Sequence, residues 1–210
     1  RKLQDAVPPF GSEAARNQIE GALGRPIAEL FAEFDDVPIA AASIAQVHRA
    51  RLFSGEEVAV KVRRPGLEQV IGTDLEILRG LASLLEENAP ELRAYAPAEI
   101  VEEFARAITL EIDLSHEASN MQRFARNFAG DPLVHVPKLY EAYSKPAVLT
   151  MEFVRGIKAK DLAGLDARAQ TLGGDLALVG RLAWSEPAIA WIGDWRLRAA
   201  GKIRRWGVSN

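Results

Sequence analysis

The chain of 210 residues contains no cysteine, which excludes a disulfide framework and a thiolate metal site. Its three histidines, His48, His116 and His135, are widely separated, so no zinc site is expected and no metal ligand is assigned. The lack of cysteine fits a reducing compartment. No stretch reaches the roughly 18 consecutive apolar residues of a membrane span. The first residues lack the apolar segment of a signal peptide, which makes a cytoplasmic location the expectation. An excess of positive charge is also missing: 26 basic against 29 acidic side chains leave −3, and no nucleic-acid partner is expected. What remains is 48% hydrophobic residues, enough for one sizeable core or two small ones.

The hydrophobic pattern divides this core among helices and strands. Ser12 reads as the N-cap of a helix over Glu13 to Leu23, closed by Gly24, and Pro26 opens a second short helix. From Val37 the pattern is that of strands: Ile39, then Ala45 to Leu52, a turn at Ser54-Gly55, and Glu57 to Val62. Leu67 to Glu87 has the spacing of an amphipathic helix, and one longer helix is expected from Pro97 to about Asn127. Val134 to Tyr140, interrupted by Pro137, reads as an edge strand, and Val148 to Phe153 as a central one.

Within PIAAASIAQVHRARLFSGEEVAVKVRRPG, a turn of small residues precedes a strand with one lysine. Ala40, Ala41, Ala42 and Ser43 let a main chain approach a ligand closely, as glycines do in a phosphate-binding loop. Alanine disfavours positive φ, however, so this loop would wrap a triphosphate less freely. Lys61 is flanked by Val58, Val60 and Val62, and a desolvated ammonium there requires a carboxylate or a phosphate. A strand lysine that snorkels to water is the simpler alternative. Downstream, LEIDLSHEASN places Glu111, Asp113 and Glu117 within two helical turns, with Asp113 and Glu117 on one face. Alone they would read as a solvated acidic face. Together with a strand lysine and a small-residue turn, they match the kinase arrangement in which a lysine on phosphates pairs with a helix glutamate.

LQDAVPPF, PIAAASIAQVHRA, VAVKVRRPG, EIDLSHEASN and VLTMEFVRGIK occur in the order seen in the UbiB (AarF-domain) family of atypical protein-kinase-like proteins, which residues 2 to 165 resemble. The resemblance implies an α+β kinase-like N-lobe with a five-stranded antiparallel sheet and family-specific helices. It implies ATP or ADP with magnesium as cofactor, Ala40 to Ser43 as an alanine-rich loop over the nucleotide that is thought to favour ADP over ATP, and Lys61 as the phosphate-binding lysine. Glu117 is then the preferred partner of Lys61 and Glu111 the second choice. Glu111 and Asp113 form the family's ExD motif, which in relatives meets an N-terminal KxGQ segment. Met151 to Val154, with Glu152 and Val154 among them, would form the hinge beside the adenine. Gln46 and His48 receive no chemical role beyond hydrogen bonding next to the loop.

The family's KxGQ segment, its HxDPHPGN catalytic loop and its DFG are not found in the sequence. Without the last two, magnesium lacks its seat. Asp161, Asp166, Asp175 and Asp194 sit in no recognisable motif. The opening Arg1 suggests a true start upstream. The lobe is expected over 1–167, followed by a divergent tail over 168–210 that holds all four tryptophans and a charge of +4. This tail is read as a shifted frame or mis-called end, or as an amphipathic membrane-surface helix through WRLRAAGKIRRW. The expected function is that of a truncated, catalytically incomplete lobe of a protein linked to ubiquinone biosynthesis, peripheral to the inner membrane. The rival is a pseudokinase-like module binding a membrane surface or lipid-biosynthesis proteins. Oligomeric state is left open.

Overall fold

Two seven-residue strands, β3 (Ala45–Arg51) and β4 (Glu57–Arg63), form the hairpin at the centre of the fold. Their turn is closed by Gly55 N–H donating to Leu52 O at 2.9 Å, with Gly55 at φ 97°, a conformation that favours glycine. The computed structural model describes residues 7–131 and 134–155. Two compact units are present, 1–127 with 137–153, and 128–136 with 154–210. Residues 156–210 lie outside the described residues, and with them the tail, its tryptophans and the four aspartates from Asp161 to Asp194.

In the first unit the sheet has five antiparallel strands. β1 (Glu33–Phe34) and β2 (Ala40–Ala41) both pair with β3, β3 with β4, and β4 with β5 (Val148–Glu152). Alternation along β4 decides what each face does. Val58, Val60 and Val62 are fully buried in a core with Ile19, Leu30, Phe31 and Val148. Each such valine contributes about 1.5 kcal/mol or more by leaving water. Ala59, Lys61 and Arg63 lie on the opposite face and are also buried.

β5 ends the strand path instead of running through its centre. Beyond it lie two isolated bridges, Leu139 to Met151 and Lys145 to Val148, so among the described residues 134–140 is not the strand expected. VLTM is apolar because both faces of β5 are covered, as the burial of Val148 to Met151 shows, and burial of faces does not require neighbours on both edges.

α1 (Ser12–Leu23) buries Ala15 and Ile19 and ends at Gly24, φ 71°, whose N–H donates to Glu20 O at 2.8 Å. Gly11, not Ser12, occupies its N-cap, and no side chain caps it. Pro26 is the N-cap of α2 (Ile27–Leu30), where the Glu20 carboxylate accepts the Ile27 N–H at 2.8 Å.

α3 (Leu67–Asn88) packs on α4 (Pro97–Ile112). The single helix expected to Asn127 is instead two, because Asp113 adopts φ −92°, ψ 102° before α5 (Leu114–Asn127). Three contacts fix this break. Asp113 Oδ1 accepts the Ser115 N–H at 2.8 Å as an N-cap, Leu114 N–H donates to Pro146 O at 3.0 Å, and Arg63 Nη1 donates to Ile112 O at 3.1 Å. The helix therefore turns where a carboxylate can serve its new N-terminus and a cation its old C-terminus. Among the described residues no helix is long and apolar enough to cross a membrane.

The second unit is described over 128–131, 134–136 and 154–155. Asp131 N–H donates to Phe128 O at 3.0 Å, with Gly130 at φ 84°, which makes a turn.

Candidate nucleotide-phosphate site

Strand register assembles one row of side chains across four strands. Ala40 is opposite Val47, Val47 opposite Lys61, and Lys61 opposite Leu149. Cross-strand partners share a face, so the small-residue turn, the lysine and β5 line one side of the sheet. Gln46, His48 and Val60 lie on the other.

α5 brings Glu117 to this row, where Lys61 Nζ donates to Glu117 Oε2 at 2.7 Å. The Lys61 side chain is 8% exposed and that of Glu117 20%, so this pair is largely withdrawn from water. Glu117 Oε1 is buried and accepts no hydrogen bond from the described residues. The break at Asp113 aims Glu117: with an uninterrupted helix the carboxylate would leave on a different heading. Asp113 and Glu117 consequently do not share a helix face in the expected way, since Asp113 is the cap and Glu117 stands one turn inside α5.

The remaining assigned residues fall as follows. Glu111 is exposed on α4. Ala41 is opposite Gln46, Ala42 N–H donates to Ala45 O at 2.8 Å, and Ser43 completes the turn. Glu152 is opposite Val58, on the face away from Lys61, and its Oε2 accepts the Lys138 N–H at 3.1 Å. Its main-chain N–H donates to Lys138 O at 2.8 Å. Val154 belongs to the second unit.

Two arginines beside Lys61 escaped the sequence reading. Arg63, two positions along the same face, is 8% exposed and pairs with Glu68 at 2.9 Å besides holding Ile112 O. The period of two in V-K-V-R was the available signal. Arg64 donates to main-chain carbonyls at Pro8, Ala42 and Ser43, a role with no sequence signature.

Gln46 and His48, both fully buried, form a chain. Gln46 Oε1 accepts the Phe10 N–H at 3.0 Å, and its Nε2 lies 3.3 Å from Phe10 O and 2.9 Å from His48 Nε2. Phe10 fixes the amide's orientation, so His48 Nε2 accepts and His48 Nδ1 donates to Asp35 O at 2.8 Å. Burial holds the imidazole below its usual pKa of 6.5, against the opposing pull of the Asp35 carbonyl and the Asp36 and Asp35 charges.

An anion fits the row: a buried ammonium beside the Glu117 carboxylate shares a sheet face with Ala40, in a turn whose side chains end at Cβ or Oγ. Magnesium does not fit these residues in the same way. Among them no group of three His, Asp or Glu side chains could hold a metal ion.

A family model described as the ABC1 atypical kinase-like domain matches residues 2–177. The chain belongs to the ABC1 atypical kinase-like family. Its residues are 48% identical over 163 positions to a protein of Pseudomonas paraeruginosa named "Probable protein kinase UbiB", covering 78% of the chain and 31% of that protein. A Marinobacter nauticus protein of the same name is 45% identical over 166 residues, covering 79% and 30%. This ABC1-family chain thus corresponds to the N-terminal portion of UbiB and spans about a third of the relatives it matches, 31% in the first case. Among solved structures, Rv3197 of Mycobacterium tuberculosis, determined with erythromycin, is similar with a TM-score of 0.62 and 29% identity, over 73% of this chain and 38% of that one. The kinase-like N-lobe fold with its five-stranded antiparallel sheet follows from both.

Proposed function

We propose that these residues form the nucleotide-binding lobe of an atypical kinase or ATPase and take ADP or ATP at the Lys61 row. The 2.7 Å pair of Lys61 with Glu117 carries the reading. Phosphoryl transfer relies chiefly on positioning and charge neutralisation, and a buried ammonium held by a carboxylate supplies both for α- and β-phosphates. Ala40 to Ser43 would cover the phosphates, and the end of β5 at Met151 and Glu152 would lie beside the adenine. Glu111 and Asp113 are assigned to the active-site side by the family's ExD motif, with Asp113 also capping α5. Magnesium is expected to arrive with the nucleotide, and no residue described here is assigned to it. HxDPHPGN and DFG sequences are not present in the 210 residues, so the activity proposed for this stretch is binding without turnover. The lobe would run to about residue 167, with 168–210 divergent. For the whole protein we propose the link to ubiquinone biosynthesis that the UbiB relationship suggests, at the inner-membrane surface beside lipid-biosynthesis proteins.

Thermal unfolding with and without nucleotide and magnesium, beside Lys61→Met, tests the reading. A ligand at about 100 times its Kd stabilises the folded state by about 2.7 kcal/mol. The expected result is an upward Tm shift in the parent chain that Lys61→Met loses. No shift at millimolar nucleotide in a folded protein would overturn it.

One observation favours a second role as a partner-binding module. Val70, Ile77, Leu81, Leu84, Ile100 and Phe104 are exposed on α3 and α4, and such patches mark association surfaces. Concentration-dependent sedimentation that Phe104→Glu suppresses would support that role, and a monomer at all concentrations would oppose self-association.

A further inference from the structure

Arg64 stands one residue beyond the end of β4, and its main-chain N–H donates to Ile44 O at 2.8 Å. Its side chain joins two segments far apart in sequence. Nε donates to Ser43 O at 3.2 Å, while Nη2 lies 3.4 Å from Ala42 O and 3.1 Å from Pro8 O. The same guanidinium covers the Phe10 ring at 5.2 Å from its centroid. One planar, permanently charged group thus ties the strap at residues 7–11 to the alanine-rich turn.

The strap has a second anchor on the other side of that turn. Phe10 N–H and C=O are both engaged by the buried Gln46 amide, and Gln46 is the register partner of Ala41. The turn has little of its own to fix it, since Ala40, Ala41 and Ala42 carry no polar side chain and β2 is two residues long. A loop held by few side-chain contacts takes its pose from what binds its carbonyls.

We propose that Arg64 is a positioning residue for the phosphate site, which transmits the placement of the strap to the alanine turn over Lys61. Displacing the strap then releases the turn and lowers nucleotide affinity. The last step rests on the nucleotide reading above; the mechanical coupling between strap and turn does not.

Hydrogen exchange of the full chain by mass spectrometry, with Arg64→Ala, Arg64→Lys and Phe10→Ala, tests the coupling without ligand. Bonds from a charged donor are strong enough that losing them speeds local opening by about tenfold. The amide of Ala42 should exchange about tenfold faster in Arg64→Ala, and less so in Arg64→Lys, which keeps the charge but loses the fork. The decisive variant is Phe10→Ala, a change in the strap that must also speed exchange in the turn. Amides of Val60 and Leu149 should stay as in the parent chain. With MgADP as probe, Arg64→Ala should weaken binding several-fold. Unchanged exchange at Ala42 in Phe10→Ala would overturn the coupling. A lower Tm in Arg64→Ala with MgADP affinity unaltered, the signature of a merely structural arginine, would overturn its role in positioning the phosphate site. If the parent chain binds no MgADP, the nucleotide reading fails, and exchange at the turn alone decides whether the strap and turn are coupled.

Discussion

Removing either member of the Lys61–Glu117 pair should be costly, and removing both should cost less. The side chains are 8% and 20% exposed and meet at 2.7 Å, so water can replace little of a lost partner. Truncating one member of a buried pair costs about 3–5 kcal/mol. The partial exposure of Glu117 points to the lower end, about 3 kcal/mol for Lys61→Met. For a chain of this size, each 1 kcal/mol moves Tm by about 2–4 °C, so the expected drop is roughly 6–12 °C. Glu117→Leu should behave similarly. The double variant Lys61→Met with Glu117→Leu restores an apolar contact and should recover at least half of the loss, because a well-packed apolar pair is often neutral relative to a buried ion pair. Urea unfolding of the four proteins completes the cycle. Single changes below about 1 kcal/mol that simply add would refute the reasoning, since that is how a solvent-screened surface pair behaves.

Other outcomes follow from the neighbouring contacts. Arg63→Met removes a buried cation from Ile112 O and Glu68 and should cost about 2 kcal/mol in urea unfolding, whereas Arg79→Met, at an exposed pair with Glu102, should stay within about 1 kcal/mol. Asp113→Ala deletes the α5 cap and should cost about 1 kcal/mol, with Asp113→Asn losing less. His48 is held neutral by burial, with its folded pKa below 6.5. Below pH 6.5 the unfolded chain therefore binds a proton that the folded chain refuses. Its contribution is complete above that pH and declines as pH falls toward the folded value. Stability measured from pH 7.5 to 5.5 should fall in the parent chain and more gently in His48→Asn. An identical slope in the two would remove His48 from the account.

The sheet and the Lys61 row were legible because strand alternation is a short-range signal: V-A-V-K-V-R fixes which side chains share a face before any partner is known. The carboxylate ambiguity between Glu111 and Glu117 was harder. It turns on the break at Asp113, which depends on the Leu114–Pro146 and Arg63–Ile112 contacts, spanning 32 and 49 residues, that periodicity does not report. VLTMEF misled for a related reason, because apolar composition records covered faces and says nothing about paired edges. Gln46 and His48 looked like bystanders, since the strap that engages Gln46 is a proline-rich stretch without periodicity and His48 is held by Gln46 and the Asp35 carbonyl. Arg64 was silent because a guanidinium bound to main-chain carbonyls leaves no trace in the identity of its partners.

The most direct test of the account is to ask which lysine sits at a bound nucleotide's phosphates. An acyl phosphate of ADP or ATP transfers its acyl group to an amine close to the phosphate chain, and peptide mass spectrometry locates the modified residue. Acylation should concentrate on Lys61, vanish with excess ADP, and be unaffected by an uncharged nucleoside. Label spread over Lys2, Lys138 and Lys145 without protection by ADP, with Lys61 unmodified in the folded protein, would contradict the claim that the Lys61 row holds nucleotide phosphates.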